Sequence, residues 1–281
     1  MWGRLRIDSL IGILIMAVSG QSVCSPTHSL CPARQPASGC TMQQPQMNDR
    51  TGQTLAFVAA HRPSLAALAG ALLVWAFIQL SIEMVEGDVQ GFDLAIVRAA
   101  LSLRLGHAWI TDVMRDLSGL GSTSVLTLCT VAAAGYLAVA GARRKALLVL
   151  VAVITGVGAM SLLKELFARP RPNSGFAELV APGMGFPSGH ATMSAIVFLT
   201  VAALLAASRT RAIERTTILA IAGMLTFLVG LSRIVLGVHW ATDGAAGWAF
   251  GAAWALAWLL FERRLSKTRA DNTCGHRPDN P

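Results

Sequence analysis

Six long apolar runs, separated by short polar or basic connections, constrain the fold of this chain more than any other feature. Each has about 18 residues or more without a charge, which is the length that a helix needs to cross the hydrocarbon core of a bilayer. Backbone polar groups in lipid must be satisfied within the segment, and helices do this. The sequence therefore predicts an all-α, polytopic membrane protein, a bundle of six transmembrane helices. The predicted spans are Ser64–Ile82, Leu117–Ala142, Ala146–Leu163, Ala191–Ser208, Thr216–Ser232 and Gly244–Phe261.

The composition fits a chain whose solvent is the bilayer. Of its 281 residues, 54% are hydrophobic and only 14% are charged, which is too apolar for a soluble domain of this size. The distribution of these residues along the sequence predicts three regions of the chain. We expect a poorly ordered N-terminal extension over 1–50, a six-helix membrane domain over 51–265 with a polar signature region at about 160–245, and a polar C-terminal tail over 266–281.

Short basic clusters between the apolar runs explain the net charge of +8. Binding of nucleic acid would require basic residues along one polar helix face, and these clusters lack that arrangement. They occupy alternate connections, as the positive-inside rule describes for cytoplasmic loops, so we expect the connections at 83–116, 164–190 and 237–243 outside. The sequence thus predicts an integral protein of a bacterial inner membrane, with its active site on the periplasmic or extracellular side. The basic residues are Arg143, Arg144, Lys145, Arg209, Arg211, Arg215, Arg263, Arg264, Lys267 and Arg269.

The first 50 residues differ from the rest of the chain. A short apolar stretch at Leu10–Val18 follows two arginines, and a segment rich in Pro, Ser, Gln and Cys comes after it. This outline is typical of a signal peptide, with the small residues Ala17 and Ser19 near a cleavage point. Cleavage would leave the new N-terminus outside, which conflicts with six spans in the orientation given above. We favour a translation start at Met47, or plain disorder of this segment.

The cysteines do not indicate a metal or redox site. They show no CxxC spacing, and the chain has no HExxH motif or acidic cluster, so the sequence predicts no metal, no cofactor and a metal-free mechanism. A disulfide within the N-terminal segment stays open, because pairing cannot be deduced from spacing. The five cysteines are Cys24, Cys31, Cys40, Cys129 and Cys274.

Ionisable side chains cluster where the last four predicted spans meet the outer connections. Charged groups next to membrane spans are costly and indicate function by default. Three fixed cations from separate segments suit a phosphoryl group, whose charge is spread over its equatorial oxygens. Arg169 is expected to be a supporting surface charge. The clustered residues are Lys164, Arg171, His190, Arg233, His239 and Asp243.

The spacing of these residues suggests individual roles. His239 and Asp243 are four residues apart, so on one helix the carboxylate can accept a hydrogen bond from one ring nitrogen. The imidazole then presents its other nitrogen as a base or nucleophile. Ser188 and Gly189 offer an N-cap hydroxyl and free backbone N–H groups to an anion at the start of the fourth span. His190 is left free to act as a general acid.

The same residues form three spaced motifs. Six residues separate Lys164 from Arg171-Pro172, Pro187-Ser188-Gly189-His190 comes next, and Ser232-Arg233 is followed after five residues by His239 and after three more by Asp243. In this order they resemble the three-part signature of the type 2 phosphatidic acid phosphatase superfamily, over roughly residues 90–260. Membrane members of that family are six-helix lipid phosphatases.

The resemblance implies a reaction and a division of roles. His239 would attack phosphorus to give a phosphohistidine while Asp243 holds its ring, and His190 would protonate the leaving group. Water would then release phosphate. The implied substrates are lipid phosphates and diphosphates, either a polyprenyl diphosphate or a glycerolipid phosphate such as phosphatidate. The implied phosphate-binding groups are Lys164, Arg171, Arg233, Ser188 and the backbone of Gly189.

Two alternatives to a lipid phosphatase stay open. A phosphotransferase would use the same site and pass the phosphoryl group to a lipid or sugar hydroxyl. A non-catalytic relative would only bind lipids, and the complete set of His190, His239 and Asp243 argues against it. The sequence does not specify the oligomeric state.

Two local patterns concern the packing of the bundle. The segment Phe92–Arg104 is expected to form a helix that lies along the membrane surface. Gly247 and Gly251 form a pair of small residues four apart, which suits close helix packing in lipid.

Overall fold

The computed structural model describes residues 49–173, 175–178 and 182–274, and the side chains of residues 64–266 within these ranges. All regular structure in the described part is helical, which confirms the predicted all-α class. A π-helical turn, Ala195–Leu199, lies within α6. The helices are α1 (Asp49–Glu86), α2 (Gln90–Gly106), α3 (Ala108–Leu120), α4 (Thr123–Val139), α5 (Arg143–Phe167), α6 (Gly189–Ala207), α7 (Ala212–Val235) and α8 (Ala241–Cys274).

Five of the described helices are long and apolar enough to cross a bilayer. They are α1 from Ser64 onward and α5 to α8. The pair α3 and α4 passes the same test only together, with a bend of 41° between its two members. The described part therefore has five spans, or six if this pair is one span, in agreement with the predicted membrane bundle.

The second predicted span is not a straight helix. Residues Leu117–Ala142 were expected to form one span, but the chain breaks between Leu120 and Thr123. Gly121 lies at this break, where a Cβ atom would collide with the side chain of Val229 on α7. The absence of a Cβ at Gly121 therefore lets α7 approach this corner of the bundle closely.

Helix α6 lies at the centre of the bundle. Two thirds of its apolar stretch is buried (67%), against 11% for α1. It contacts α5, α7 and α8, while α1 packs on α8 and α4 forms a hairpin with α5. Large apolar side chains such as Trp75, Val139 and Ile154 are exposed on the outer faces, as expected where lipid is the solvent.

The segment predicted as a surface helix is the helix α2. Its exposed face carries Phe92 and Leu105, which suits contact with a membrane surface. Its inner face carries two charged side chains, Asp93 and Arg104, and both are buried. The helix is therefore tied into the bundle by polar contacts, which its apolar residues did not indicate.

The two ends of the chain bear on the predicted domain boundaries, which stay predictions. The signal-like stretch and the cysteines of the N-terminal extension lie outside the described residues. Helix α8 continues to Cys274, beyond the predicted end of the membrane domain at 265. Cys129 on α4 is a free thiol.

Candidate active site

The structure places the predicted site residues at one end of the bundle. Lys164 lies in the last turn of α5, Arg233 in the last turn of α7 and Asp243 in the first turn of α8. The first turn of α6 carries His190, which lies within electrostatic range of Arg233, His239, Arg171 and Lys164. Ends of four helices that alternate in direction thus bring together residues that are up to 79 positions apart in the sequence.

Two X-Pro steps bring a pair of arginines into the site after α5 ends. Ala168 has a left-handed backbone conformation, with φ of 44°, and Pro170 prevents the helix from continuing. The following extended segment carries Arg171, whose Nη1 lies 3.0 Å from His239 Nε2. Arg171 Nη1 also donates to the carbonyl oxygen of Val238 at 2.9 Å.

His239 and Asp243 form the pair that their spacing predicts. His239 Nδ1 lies 3.4 Å from Asp243 Oδ2, and both side chains are buried. A carboxylate only accepts, so the proton of the ring is assigned to Nδ1 and Nε2 keeps its lone pair. This lone pair faces the guanidinium of Arg171. The imidazole thus presents Nε2 to the cationic side of the site.

Burial decides the protonation state of His239. Loss of hydration lowers the pKa of this imidazole to about 4, although the hydrogen bond and the charge of Asp243 raise it. Arg171 and Lys164 lower it further by like-charge repulsion. The pKa of Arg171 is also lowered by burial, but a guanidinium stays charged at neutral pH. At neutral pH the site therefore contains an uncharged imidazole beside a cation, the state that a nucleophile requires.

Aromatic packing holds the turn before α6 in place. Phe186 is fully buried, and its ring lies 4.9 Å from that of Phe167 and 5.9 Å from that of Phe77, between centroids. The backbone N–H of Ser188 donates to the carbonyl oxygen of Asp243 at 3.0 Å. These contacts fix the start of α6 against α1, α5 and α8.

Ser188 occupies the N-cap position of α6 but does not cap it with its side chain. The expectation of an N-cap hydroxyl is thus wrong in this respect. Its Oγ is buried without a hydrogen-bond partner, a state that costs free energy unless another group pairs with it. A Cβ at the adjacent Gly189 would lie 3.3 Å from Met160 Sδ and 3.7 Å from Lys164 Cε. The unpaired hydroxyl therefore lies in the turn that Lys164 flanks.

Arg233 enters the site supported by α3. Its Nη1 donates to Ser118 Oγ at 2.8 Å, and its Nε is buried without a partner. Both side chains are buried. The bent corner near Gly121 also contacts His190, since a Cβ at Gly121 would lie 3.2 Å from His190 Cδ2. Helix α3 thus contributes a positioning contact that the sequence motifs do not include.

Carbonyl oxygens of the loop before α6 accept hydrogen bonds from two cationic side chains of the site. Lys164 Nζ donates to the carbonyl of Met184 at 2.9 Å. Arg171 donates through Nε to the carbonyl of Gly183 at 2.9 Å and through Nη2 to that of Pro182 at 3.3 Å. Three consecutive carbonyls therefore lie where donors for an oxyanion converge.

Arg169 is the main residue that sequence reasoning misjudged. The side chain is only 10% exposed and donates 2.6 Å to Asp243 Oδ1 and 2.7 Å to Asp93 Oδ2. It is therefore a buried partner of the site carboxylate, not a surface charge. Asp93 was not predicted as a site residue, because it lies in the segment Phe92–Arg104, which was expected to form a helix along the membrane surface.

Trp240 makes two contacts with the segment that follows α5. Its indole Nε1 donates to the carbonyl of Pro170 at 3.0 Å, and the guanidinium of Arg169 lies 5.7 Å from the ring centroid. The residue next to His239 thus holds the extended segment in place.

The described residues offer no cluster of three or more His, Cys, Asp or Glu side chains that could hold a metal ion. The side chains of Lys164, Arg171 and Arg233 bring positive charge to the site. A helical membrane bundle that brings three cations, two imidazoles and a carboxylate to one end belongs to the class of membrane proteins equipped for phosphoryl transfer.

Comparison with known proteins identifies the family. The sequence model of the PAP2 superfamily matches residues 145–267. Phosphatidylglycerophosphatase B of Bacillus subtilis (strain 168) is 32% identical to the chain over 199 residues, which are 69% of this chain and 94% of the relative. The chain belongs to the PAP2 superfamily, which confirms the predicted resemblance.

A solved structure supports the same membership. The crystal structure of the first transmembrane PAP2 type phosphatidylglycerolphosphate phosphatase from Bacillus subtilis matches with a TM-score of 0.64 and 30% sequence identity. The match covers 70% of this chain and 96% of that chain. The helical membrane fold is therefore shared over nearly the whole length of the relative.

Proposed function

We propose that the protein hydrolyses the phosphomonoester of a glycerophospholipid, of the phosphatidylglycerophosphate type. It is an integral membrane phosphatase of lipid phosphates, and the proposal concerns its substrate and the roles of its residues. The observation that carries it is the buried pair of His239 and Asp243, in which the unprotonated Nε2 of His239 lies 3.0 Å from Arg171 Nη1. The similarity to a phosphatidylglycerophosphatase over 94% of that protein supports the choice of substrate.

In the first step, the Nε2 lone pair of His239 attacks phosphorus and the bond from phosphorus to the ester oxygen breaks. His190 gives its proton to the departing alkoxide, which leaves as an alcohol. The ring of His239 becomes cationic on phosphorylation. Asp243 accepts the Nδ1–H bond throughout and stabilises this charge.

The charge on the phosphoryl oxygens is balanced by Lys164, Arg171 and Arg233. In the free site, the first two of these donate to loop carbonyls. A phosphate dianion is the stronger acceptor, so substrate binding exchanges these carbonyls for phosphate oxygens. The unpaired Oγ of Ser188 and the backbone N–H of Gly189 supply further donors.

In the second step, water hydrolyses the phosphohistidine. His190, which is now neutral, accepts a proton from water, and the hydroxide attacks phosphorus. The bond between His239 Nε2 and phosphorus breaks, inorganic phosphate leaves, and His190 is again protonated. We propose that no metal ion takes part, because the three cations supply the electrostatic stabilisation.

We also place the site on the outer side of the membrane. The basic connections lie at the opposite end of the spans from the site residues, at the start of α5 and between α6 and α7. The positive-inside rule assigns that end to the cytoplasm. The substrate would then be taken from the outer leaflet.

The decisive variant is His239→Ala. Purified protein in detergent micelles, in buffer with a metal chelator, should release phosphate from phosphatidylglycerophosphate, and His239→Ala should lower kcat by at least about 10³-fold. His107→Ala, at an exposed histidine between α2 and α3, is the matched control and should behave as wild type.

The same assay separates the alternatives. Phosphatidate and a polyprenyl diphosphate are run beside the first substrate, and radiolabelled phosphate is followed into water or into an acceptor alcohol. Turnover only of the diphosphate would contradict the substrate class. Label in the acceptor would indicate a phosphotransferase, and loss of activity in the chelator would contradict the metal-free mechanism.

A further inference from the structure

A second carboxylate and an arginine lie behind the reacting pair, and the mechanism above does not use them. Arg169 bridges Asp243 and Asp93, with Nη1 at 2.6 Å from Asp243 Oδ1 and Nη2 at 2.7 Å from Asp93 Oδ2. Its Nη1 also donates to Thr242 Oγ1 at 2.8 Å. Asp93 and Asp243 are buried, at 1% and 0% exposure of their side chains.

Hydrogen bonds to both oxygens fix the orientation of the Asp243 carboxylate. Oδ1 accepts from Arg169, and Oδ2 accepts from the backbone N–H of Trp240 at 3.0 Å as well as from His239. The planar guanidinium directs one N–H group to each of the two carboxylates in a fixed geometry. Arg169 therefore determines which oxygen of Asp243 faces the imidazole.

Asp93 fixes the other end of Arg169 and the start of α8. Its Oδ1 accepts from the backbone N–H of Thr242 at 3.0 Å, and its Oδ2 accepts from Thr242 Oγ1 at 2.6 Å. The residue comes from α2, outside the spans that carry the family motifs. A buried charged group of this kind is strongly destabilised when one partner is removed, so the two carboxylates depend on the shared guanidinium.

We propose that Arg169 and Asp93 are positioning residues for phosphoryl transfer: Arg169 holds the Asp243 carboxylate in register with His239, and Asp93 holds Arg169 and the first turn of α8. This inference rests on the proposed function, because it assigns Asp243 the task of orienting the nucleophile. Helix α2 thus contacts the site through three linked charged side chains, those of Asp93, Arg169 and Asp243.

The first test is Asp93→Asn, which keeps the size of the side chain and one oxygen but removes the charge that pairs with Arg169. In the micelle assay with phosphatidylglycerophosphate, kcat should fall about 10- to 100-fold, while KM stays within about twofold. Asp88→Asn is the matched control, because Asp88 is exposed five residues earlier, and it should match wild type. A kcat for Asp93→Asn within twofold of wild type, or a loss that appears mainly in KM, would overturn the proposal.

Arg169→Lys and Arg169→Gln form a second pair. Lysine retains the charge but can face only one carboxylate at a time, so kcat should lie between those of wild type and the glutamine variant. Equal kcat for the two variants would contradict the bridging role. Thermal unfolding of each purified variant shows whether it is folded at the assay temperature, and only folded protein is counted in kcat.

A double-mutant cycle separates positioning from a general loss of structure. If Asp93 acts through Asp243, then Asp93→Asn should cost less than about twofold in kcat in a background that already carries Asp243→Asn, with residual turnover followed by radiolabelled substrate. The full loss repeated in that background would overturn the inference. Wild-type turnover in the same experiment reports the proposed function separately: without it the proposed function fails, and with it only the positioning role is in question.

Discussion

At the residue scale, the environment of His239 predicts an unusual dependence on pH. Burial lowers the pKa of this imidazole to about 4, so the neutral imidazole, which we propose as the nucleophile, persists well below the usual pKa of histidine near 6.5. Because protonation removes the nucleophile, activity should be lost on the acid side only as the pH falls through about 4. An ordinary exposed histidine would lose it near pH 6.5.

The measurement is kcat/KM between pH 4 and 8, which reports ionisations of the free enzyme and free substrate. The phosphomonoester itself ionises near pH 6, so titration of the substrate micelles provides the correction. After this correction, kcat/KM should not fall on the acid side down to about pH 5. A remaining acid limb centred near pH 6.5 would contradict the assignment of a buried neutral His239.

The residues that could be predicted from the sequence are those whose spacing is local. His239 and Asp243 lie on one helical turn, so their contact follows from helix geometry. The partners of Asp93 could not be predicted in this way, since Thr242 is 149 positions away. No periodic pattern connects two such residues, and only the folded arrangement of α2 against α8 brings them together.

At the element scale, five of the six predicted spans coincide with long helices and the second coincides with the bent pair α3 and α4. Three of the predicted spans were too short at the end that lies next to the site. Hydropathy ends a span at the first charge, so the predicted spans stopped at Leu163 and Ser232 and began at Gly244. The helices continue through these charges, because charged groups at helix ends are tolerated where they pair or reach the interface. Lys164, Arg233 and Asp243 therefore lie in the terminal turns, where the site forms.

Gly247 and Gly251 of α8 pack closely against α6, and this contact is called the glycine seam. It fixes the position of the first turn of α6 relative to α8. A Cβ at Gly251 would lie 2.5 Å from the carbonyl oxygen of Thr192 and 2.7 Å from Ala195 Cβ, and one at Gly247 would lie 2.9 Å from the carbonyl oxygen of Ser188. The expected close packing at this glycine pair is therefore confirmed. The seam begins directly behind the Ser188 turn, so its width sets the distance between the turn and α8.

Gly251→Val should consequently destabilise the protein, because the added side chain forces α6 and α8 apart. Overpacking of this kind costs about 1–3 kcal/mol, and the midpoint of thermal unfolding in detergent should fall accordingly. Gly223→Val on α7 is the matched control, since nothing lies within 4 Å of a Cβ built there. Equal shifts for the two variants would show that only the helix propensity of valine matters.

At the scale of the whole molecule, the candidate site and the basic connections lie at opposite ends of the bundle. One end holds the candidate site. At the other end, Arg144 at the start of α5 and Glu262 of α8 line a cavity of about 300 Å³. The fold therefore supports the alternation of connections on which the sequence analysis based its orientation. The direction of the whole bundle in the membrane still depends on the positive-inside rule.

Two reporter fusions test this orientation. Alkaline phosphatase, which is active only outside the cytoplasm, should be active when fused after Gly237, between α7 and α8 beside the site, and inactive when fused after Lys267 in α8. A fluorescent protein at the same two positions should give the opposite pattern, because it folds in the cytoplasm. The reverse result at both positions would place the site inside and require a substrate in the inner leaflet. Since the two fusions differ only by the last span, their signals must be opposite if α8 crosses the membrane, and equal signals would show that it does not.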